Sequence, residues 1–522
     1  MNSKPSTLQS LSQSFAGWRT GAVSVLSFSS GLPLGLVLIT VPYWMQQEGV
    51  DMKTIGLLTL AQIPYAFKFA WSPLMDRFAP PGRWRTWILI TQVLLAASIA
   101  VLAANAGAPK IAVVALLALL ISFASASQDI AIDAYAVEVL RPAELAVAGG
   151  ARGALARLAV ILGRVLNTLG PMFGWRRALA AIALMFVPLA AVTTVAPAPE
   201  APPPPPRSLR DAVWEPFVGF FRHTRALEIA AFLFFYKFAD NVAGALVSPF
   251  LGELGFSHVD VGVNVGWISF FGNVGGTLLG GVLAKRLGLG RALWVFGILQ
   301  AISNLGYVAI TEVGVNRPVM FGATAVEAIT SGLGTGAFSV FLLRLTQRRF
   351  SATQYALFSS IFALGRTFAG PPAGALVEAI GWRDFFLLTI PIAIPGLLLL
   401  QLFVPWYSRD IPETLDAEVE RTAYGTPVGV GGLVRRALLG FAVGTAASYT
   451  LNLLLVALRL ARGPAAHFDL GRALHALLHP TRPVEWVDLV GPPIAGVVMG
   501  LAVAAYVAAR RGVAARPPSA HA

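Results

Sequence analysis

The chain has 522 residues, of which 56% are hydrophobic and only 12% are charged, and its formal net charge is +13. Soluble proteins carry about 25% charged residues, so this composition indicates an integral membrane protein. The basic residues cluster between hydrophobic runs, which is typical of topology signals and does not favour nucleic-acid binding. Cysteine is absent, which excludes disulfides, thiol nucleophiles and cysteine metal ligands.

Apolar runs of about 20 residues, the length of helix that crosses a bilayer, recur along the whole chain. The first twenty residues are polar, and the run after them is too long for a signal-peptide core. We therefore expect a retained helix with the N-terminus in the cytoplasm, and the excess of arginine and lysine in the loops on that side agrees. In the first half the predicted spans cover about residues 22–46, 54–75, 86–106, 111–137, 147–170 and 178–196.

A proline-rich segment, APAPEAPPPPPRSLRDAVWEPF at residues 196–217, separates the two halves of the chain. Its consecutive prolines cannot continue a helix and favour a stiff, extended spacer. Beyond it, spans are predicted at about residues 227–250, 260–284, 292–310, 317–343, 353–380 and 384–406, with two more at 437–460 and 488–509. The segment 467–487 between the last two could form an amphipathic interfacial helix.

This layout predicts an all-α integral membrane protein with about 14 spans. It resembles a major facilitator transporter, which has two six-helix halves with inverted repeats, followed here by two extra C-terminal transmembrane helices. The predicted parts are an N-terminal six-helix half (1–195), a Pro-rich cytoplasmic linker (196–226), a C-terminal six-helix half (227–408), a polar linker (409–436) and a C-terminal extension (437–522).

The fourth span contains the stretch SASQDIAIDA, Ser125–Ala134, inside an otherwise apolar run. Asp129 and Asp133 are four residues apart and therefore share one helix face, with Gln128 beside them. An ionisable group in hydrocarbon costs roughly 3 kcal/mol even on lenient scales, so such groups are usually functional or paired. We interpret the two carboxylates as proton carriers that face a water-filled path.

Each of these residues has a structural alternative. Asp129 and Asp133 could form ion pairs with Arg157 or Arg164 of the next span. Gln128 could hydrogen-bond a sugar or an amide of a substrate, or it could simply bridge two helices.

The centres of the third, sixth, ninth and twelfth spans contain no charged residue. In the facilitator fold every third helix faces lipid while the others line the cavity, so this distribution favours that architecture. Intramembrane charges appear in span two (Lys68), four (Asp129 and Asp133), five (Arg157 and Arg164), seven (Lys237 and Asp240), ten (Glu327) and eleven (Arg366).

Two alternatives stay open for the charges of the second half. Lys237 and Asp240 lie three residues apart and could pair with each other, or the pair could open when an anionic substrate binds and Asp240 takes a proton. Glu327 could complete a proton relay, or it could pair with Arg366.

The loop after span two reads SPLMDRFAPPGRWR, Ser72–Arg85, and resembles the facilitator loop motif. The resemblance implies that Asp76 sits at a helix N-terminus of the other half, that Arg77 pairs nearby, and that the two latch the outward-open state. The related loop Gly280–Arg291 lacks the aspartate, so we expect an asymmetric latch.

Several further segments, in the same order along the chain, resemble AmpG-type muropeptide permeases, which are related to the acetyl-CoA transporters. They are SGLPLGL (Ser30–Leu36), DMKTIGL (Asp51–Leu57), FKFAWSPLMDRF (Phe67–Phe78), SASQDIAIDA, FYKFAD (Phe235–Asp240), FGILQAISNLGY (Phe296–Tyr307) and FSATQYALFSSIFALGRTFAGPPAGALVE (Phe350–Glu378). The resemblance implies an importer of anhydromuropeptides, the sugar–peptide fragments of cell-wall turnover, across the bacterial inner membrane and driven by the proton gradient.

On this interpretation the chain is a proton symporter that works by alternating access. Proton coupling would be carried by Asp129, Asp133, Asp240 and Glu327, and substrate binding by Gln128, Lys68, Lys237, Arg366 and Arg164. The substrate has peptide carboxylates, which suit a bidentate arginine and a lysine point charge. Lys68 could instead extend toward the cytoplasmic face.

The alternatives are a transporter of another anionic metabolite, such as acyl-CoA or a peptide, and a transporter-like sensor. No Gly-Lys-Ser/Thr loop, HExxH or GxSxG pattern is present, so neither direct ATP use nor hydrolase activity is predicted. We expect no enzyme activity, no cofactor, no metal and no nucleic-acid partner, and a monomer whose partners are the sugar–peptide, protons and the lipid bilayer.

Overall fold

The computed structural model describes residues 17–50, 61, 63–107, 109–200, 202–222, 225–411, 428–460, 468–481 and 485–511. Over these residues the chain is built from long helices, twelve of which are long and apolar enough to cross a membrane. The predicted all-α membrane architecture is therefore confirmed.

We number the helices by predicted span. They are α1 (Trp18–Gln47), α2 (the short helices Ile63–Phe67, Lys68–Ala70 and Ser72–Arg77), α3 (Trp84–Gly107), α4 (Ile111–Val139), α5 (Leu145–Phe173), α6 (Trp175–Val195), α7 (Ala226–Glu253), α8 (Val259–Leu287), α9 (Leu289–Val313), α10 (Arg317–Leu345), α11 and α12 (together Ser351–Phe403), α13 (Val430–Leu460) and α14 (Glu485–Arg511).

The bounds of α2 and of the α11–α12 run differ from simple continuous helices. Residues 54–60 and 62 of the predicted second span lie outside the described residues. The run that holds α11 and α12 breaks at Gly381, whose φ of 77° and ψ of 169° suit a residue without a Cβ atom. The break separates the predicted eleventh span from the twelfth.

Small residues allow close helix packing in both halves. A Cβ atom on Gly31 of α1 would collide with the carbonyl of Ala156 on α5, and one on Gly280 of α8 with the carbonyl of Leu333 on α10. Helices in a bilayer associate through such close contacts because lipid supplies no hydrophobic driving force between them. Each half thus contains one closely packed pair of helices, α1 with α5 and α8 with α10.

The two halves touch near the end of the bundle where the linker crosses, which we call the linker end. Helix α5 meets α8 there at Gly150, where a Cβ atom would lie 2.9 Å from the carbonyl oxygen of Leu278. Nearby, the hydroxyl of Ser351 at the start of α11 donates to Glu138 at the end of α4, at 2.8 Å. The linker end is therefore closed in this conformation.

The proline-rich segment 196–206, which we call the strap, is tied to the first half rather than standing free. The hydroxyl of Tyr135 donates to the carbonyl of Pro197 at 2.7 Å. The carboxylate of Glu200 lies between the guanidinium groups of Arg19 and Arg141, and these two groups hold the pKa of Glu200 below its usual value. Residues 197–200 and 202–206 of the strap form no helix, as expected for a segment rich in proline, which has no backbone N–H to donate.

A short helix, Leu209–Phe221, follows the strap and is capped by Ser208, whose hydroxyl accepts from the N–H of Asp211 at 3.1 Å. We call it the linker helix. Its Phe221 ring lies 5.8 Å from that of Tyr506 on α14, and its Trp214 and Val218 pack against a buried cluster of α13 and α14. The linker helix thereby joins the C-terminal extension to the rest of the protein.

Between α13 and α14 lies the helix Leu470–Leu478, within the segment where an interfacial helix is predicted. Its Ala473 and Leu477 are buried, whereas Leu470, Leu474 and Leu478 are exposed. An exposed apolar face on a short helix next to membrane spans suits the bilayer interface.

Candidate functional site

Four charged side chains from three helices meet inside the first half, and we call them the first charge cluster: Lys68, Asp129, Asp133 and Arg152. The ammonium of Lys68 on α2 lies 2.6 Å from Asp129 and 3.4 Å from Asp133. Arg152 of α5 pairs with the other oxygen of Asp133. The two aspartates reach common partners because their four-residue spacing places them on one face of α4.

The first charge cluster contains two cations and two carboxylates, so its formal charges cancel. Such balance is what buried ions require, since an unpaired charge in a low-dielectric interior is strongly destabilising. The two carboxylates nevertheless differ in access to solvent: the side chain of Asp129 is 29% exposed and that of Asp133 is 5% exposed. Asp129 is thus the member of the cluster that water can reach.

The first charge cluster also extends into the second half. Arg152 donates to the hydroxyl of Tyr355 on α11 at 3.1 Å, and its guanidinium carbon lies 5.4 Å from the centre of that ring. Tyr355 is one turn into α11, close to the closed linker end. A single arginine therefore connects the carboxylates of one half to the contact surface between the halves.

The sequence interpretation missed Arg152, although a signal for it was present. Helices α4 and α5 run antiparallel and are joined by the short loop Leu140–Glu144. Residues at equal distances from the centre of that loop lie at the same height, which places Asp133 opposite Arg152. Tyr355 had no such signal, because its contact depends on how the two halves dock.

The arginines that were considered as partners for Asp129 and Asp133 lie elsewhere. Arg157 donates to the hydroxyl of Thr277 on α8, across the interface between the halves. The side chain of Arg164 lies outside the described residues. Lys68 and Arg152 take the pairing role that the sequence left to Arg157 or Arg164, and the short Lys68–Asp129 distance leaves Lys68 directed at the cluster rather than at the cytoplasmic face.

Gln128 belongs to a polar contact between helices. It is fully buried, and its amide nitrogen donates to the hydroxyl of Ser29 on α1 at 3.0 Å. The amide of Gln92 on α3 donates to the same hydroxyl at 3.3 Å. In this structure Gln128 bridges two helices, which is the second of the two roles predicted for it.

A second charge cluster, made of Lys237, Asp240 and Glu327, lies in the second half. Lys237 is 2.7 Å from Asp240, and its ammonium also donates to the backbone carbonyl of Ser331 at 2.9 Å and to Gln300 at 2.8 Å. The hydroxyl of Ser331 donates to Asp240 at 2.6 Å. All three N–H donors of the lysine therefore have acceptors on α7, α9 and α10.

Glu327 does not pair with Arg366 in this conformation. Its carboxylate accepts a hydrogen bond from Tyr307 at 3.2 Å and experiences repulsion from Asp240 and attraction from Lys237. The second charge cluster thus has one carboxylate more than it has cations, and it is balanced when it holds one proton. Arg366 is exposed and has no hydrogen-bond or ion-pair partner among the described residues.

Asp76 lies against the first turn of α11. Its carboxylate accepts from the N–H of Thr353 at 2.8 Å and from the hydroxyl of the same residue at 2.6 Å. The cation beside it is Arg83, at 3.6 Å, which also lies 3.2 Å from Glu138. Arg77 lies near the ring of Phe78 instead. A carboxylate at a helix N-terminus is favoured by the unpaired N–H groups and the helix dipole.

Arg83 also ties this contact to the strap, because its guanidinium donates to the carbonyl of Pro203 at 3.1 Å. It is the only non-glycine residue with positive φ (40°) among the described residues, and it follows Gly82 (φ 76°) in the same turn. A backbone conformation of this kind persists only where surrounding contacts hold it. One arginine thus links α2, α4 and the strap at the linker end.

Comparison with known proteins adds the family context. The model of the Major Facilitator Superfamily matches residues 23–314. An anhydromuropeptide permease of Escherichia coli (strain K12) is 40% identical over 412 residues, which cover 78% of this chain and 83% of that protein. An uncharacterized protein of Haemophilus influenzae is 33% identical over 394 residues, covering 72% of this chain and 92% of that protein.

Among solved structures, the proton:xylose symporter XylE bound to 6-bromo-6-deoxy-D-glucose superimposes with a TM-score of 0.54. The match covers 76% of this chain and 98% of the symporter at 13% sequence identity. At that identity the likeness concerns the fold alone.

Proposed function

The chain belongs to the major facilitator superfamily and, within it, to the AmpG-type anhydromuropeptide permeases, and from this premise we propose that it imports anhydromuropeptides together with protons. It is a multi-pass membrane protein. In the proposal it lies in the bacterial inner membrane as a monomer, with the N-terminus and the linker end in the cytoplasm. The closed linker end then corresponds to an outward-open state that is ready to take up its substrate.

The proposal rests on the first charge cluster and on the hydrogen bond that Arg152 of this cluster donates to Tyr355 in the other half. The cluster is neutral as it stands, so a proton arriving on Asp129 leaves it with one excess positive charge. An anionic substrate offsets that excess. Proton and anion are therefore best accommodated together, which is the requirement of symport.

The same geometry connects protonation of Asp129 to the opening of the linker end. Once Asp129 is protonated, Lys68 keeps only Asp133 as its carboxylate partner. Stronger pairing of Lys68 with Asp133 weakens the ion pair between Asp133 and Arg152. Arg152 is then less firmly positioned, and its hydrogen bond to Tyr355 weakens as well. Loss of that bond removes one of the contacts that keep the linker end closed, alongside the contact of Asp76 with α11.

Substrate carboxylates are proposed to bind at Arg366, which is exposed and unpaired among the described residues. A guanidinium presents a planar pair of donors that matches a carboxylate. The second charge cluster, with its surplus carboxylate, is proposed to hold a proton during part of the cycle and to release it when Lys237 and Asp240 change partners. The two clusters thus give each half a titratable centre.

The experiment that tests this function is uptake into proteoliposomes containing the purified full-length protein. Labelled anhydrodisaccharide-peptide is supplied outside, with an imposed inward proton gradient, and unlabelled acyl-CoA or free peptide is added as competitor in parallel. We expect accumulation that collapses when the gradient is dissipated and that neither competitor reduces. Gradient-independent uptake would reject the symport, and strong competition by acyl-CoA would point to the other anionic cargo.

A further inference from the structure

A cavity of about 400 Å³ lies at the linker end between the loop that joins α4 to α5 and the loop that joins α10 to α11. The first half contributes apolar side chains, including those of Leu140 and Leu145. The second half contributes three arginines within six residues: Arg344, Arg348 and Arg349. The cavity is large enough for a ligand of sugar-phosphate or headgroup size, and it is separate from both charge clusters.

Arg348 and Arg349 keep donors available for a ligand, and Arg344 adds positive charge beside them. Arg344 pairs with Asp410 at 2.6 Å and Arg349 with Glu215 at 3.1 Å, but neither carboxylate lines the cavity. Arg348 is exposed and donates to the backbone carbonyl of Leu140 at 3.3 Å. A guanidinium has five N–H groups, so the single polar contact described for Arg348 and for Arg349 leaves further donors on each.

We propose that this cavity binds a phosphate group, carried either by an anionic phospholipid or by a soluble phosphate compound. The guanidinium groups present planar pairs of donors that match the non-bridging oxygens of a phosphate, of which a phosphomonoester has three and a phospholipid diester has two. Basic pockets between transmembrane helices on the cytoplasmic side also suit lipid headgroups. The apolar wall of Leu140 and Leu145 accommodates the carbon skeleton next to the phosphate.

Because the arginines belong to the second half and the apolar wall to the first, a ligand that fills the cavity contacts both halves. Opening of the linker end would require the loop with Leu140 to separate from the loop with Arg348, and this separation would break up the binding cavity. A ligand that binds one conformation better than the other shifts the population toward it. Phosphate binding therefore stabilises the closed linker end, whatever cargo the protein carries.

The test uses the purified full-length protein in two arms that distinguish the source of the phosphate. In the first, protein in neutral detergent is titrated with inorganic phosphate or glycerol 3-phosphate at constant ionic strength, and the thermal unfolding midpoint is followed by tryptophan fluorescence. In the second, the protein is placed in nanodiscs of phosphatidylcholine with or without phosphatidylglycerol. Arg348→Gln is the test variant, and Arg210→Gln, an exposed arginine of the linker helix, is the matched control.

We expect a saturable rise of the unfolding midpoint in at least one arm. Arg348→Gln should weaken the apparent affinity about tenfold, as expected for loss of a charge-assisted hydrogen bond, while Arg210→Gln keeps it. A rise with soluble phosphate alone identifies a soluble ligand, and a rise with phosphatidylglycerol alone identifies a lipid. No rise in either arm, or the same rise in Arg348→Gln, overturns the proposal.

A second readout addresses the conformation. The chain has no cysteine, so a single Ala148→Cys, at a fully buried position near the linker end, reports opening by its rate of thiol labelling. Phosphate in the effective arm should slow the labelling, and Arg348→Gln should abolish that slowing. Binding without any change in labelling would overturn the claim that the ligand favours the closed linker end.

Discussion

The ammonium of Lys68 lies 2.6 Å from the carboxylate of Asp129, and this pair joins α2 to α4 inside the first half. Breaking one partner of a buried ion pair is far more damaging than removing both, because the surviving charge stays buried without compensation. The pair is therefore open to a double-mutant test that separates its structural role from its role in transport.

Lys68→Gln alone should lower the free energy of unfolding by about 3 kcal/mol, since it leaves Arg152 as the only cation for two carboxylates. Lys68→Gln combined with Asp129→Asn should recover most of that loss, and yet leave gradient-driven uptake absent. The measurement is denaturant or thermal unfolding in detergent, with Lys110→Gln in an exposed loop as control. Additive losses in the double variant would mean that the two side chains are not coupled.

The two aspartates of the first charge cluster should differ in function, because solvent reaches Asp129 far more than Asp133. Asp129→Asn should abolish accumulation driven by the proton gradient and preserve exchange of labelled for unlabelled substrate. Asp133→Asn should reduce both activities and the unfolding midpoint, since it removes the carboxylate that holds Arg152. Parallel gradient-driven and exchange assays distinguish the two, and the reverse pattern would assign the proton to Asp133.

The sequence predicted those parts of the site that depend on periodicity. The four-residue spacing of Asp129 and Asp133 placed both on one face of α4, and the absence of charge from the centre of every third span predicted the facilitator arrangement. The contact of Arg152 with Tyr355 joins residues 203 positions apart in the chain. No periodic pattern encodes it, because it depends on how two rigid halves dock.

The linker end shows the same limit for Arg83. The loop motif pointed to Arg77 as the cation near Asp76, whereas the turn at Gly82 and Arg83 directs the later arginine to Asp76, Glu138 and the strap. That turn is set by backbone dihedral angles of an inserted loop, which the motif does not describe. The strap likewise looked like a free spacer because proline composition says nothing about which donors its carbonyls meet.

Tyr355→Phe removes the acceptor that Arg152 uses across the two halves, with little change in shape. We expect faster labelling of the Ala148→Cys reporter, and a decrease of only about 1 kcal/mol in the free energy of unfolding. Tyr236→Phe is the matched control, because its hydroxyl donates to Leu293 within one half. If both variants label at the same rate, the hydrogen bond to Tyr355 does not hold the linker end closed.

The contact of Glu200 with Arg19 and Arg141 should make the strap sensitive to pH. The pKa of Glu200 is lowered from its ordinary value of 4.5 in the folded protein, so its contribution to stability is present above that value and is lost as the pH falls through the lowered one. Glu200→Gln should therefore lower the unfolding midpoint slightly at pH 7, and this difference should shrink as the pH falls through the lowered pKa of Glu200. Because all three groups are at the surface, 1 M NaCl should remove the difference at pH 7 as well; a difference that persists in salt would contradict this account.

Gly281 of α8 faces α5 of the other half, where an added Cβ atom would collide with the carbonyl of Ala146 and lie 2.7 Å from Gly150. Because this contact joins the two halves at the closed linker end, Gly281→Ala should shift the protein toward the open linker end without unfolding either half. Gly275→Ala, on the same helix but with open space around its Cβ position, is the control. We expect Gly281→Ala to accelerate Ala148→Cys labelling several-fold and to slow net uptake, while Gly275→Ala matches the parent protein. Equal labelling in the two variants would show that the α5–α8 contact bends to admit a methyl group and does not control the opening of the linker end.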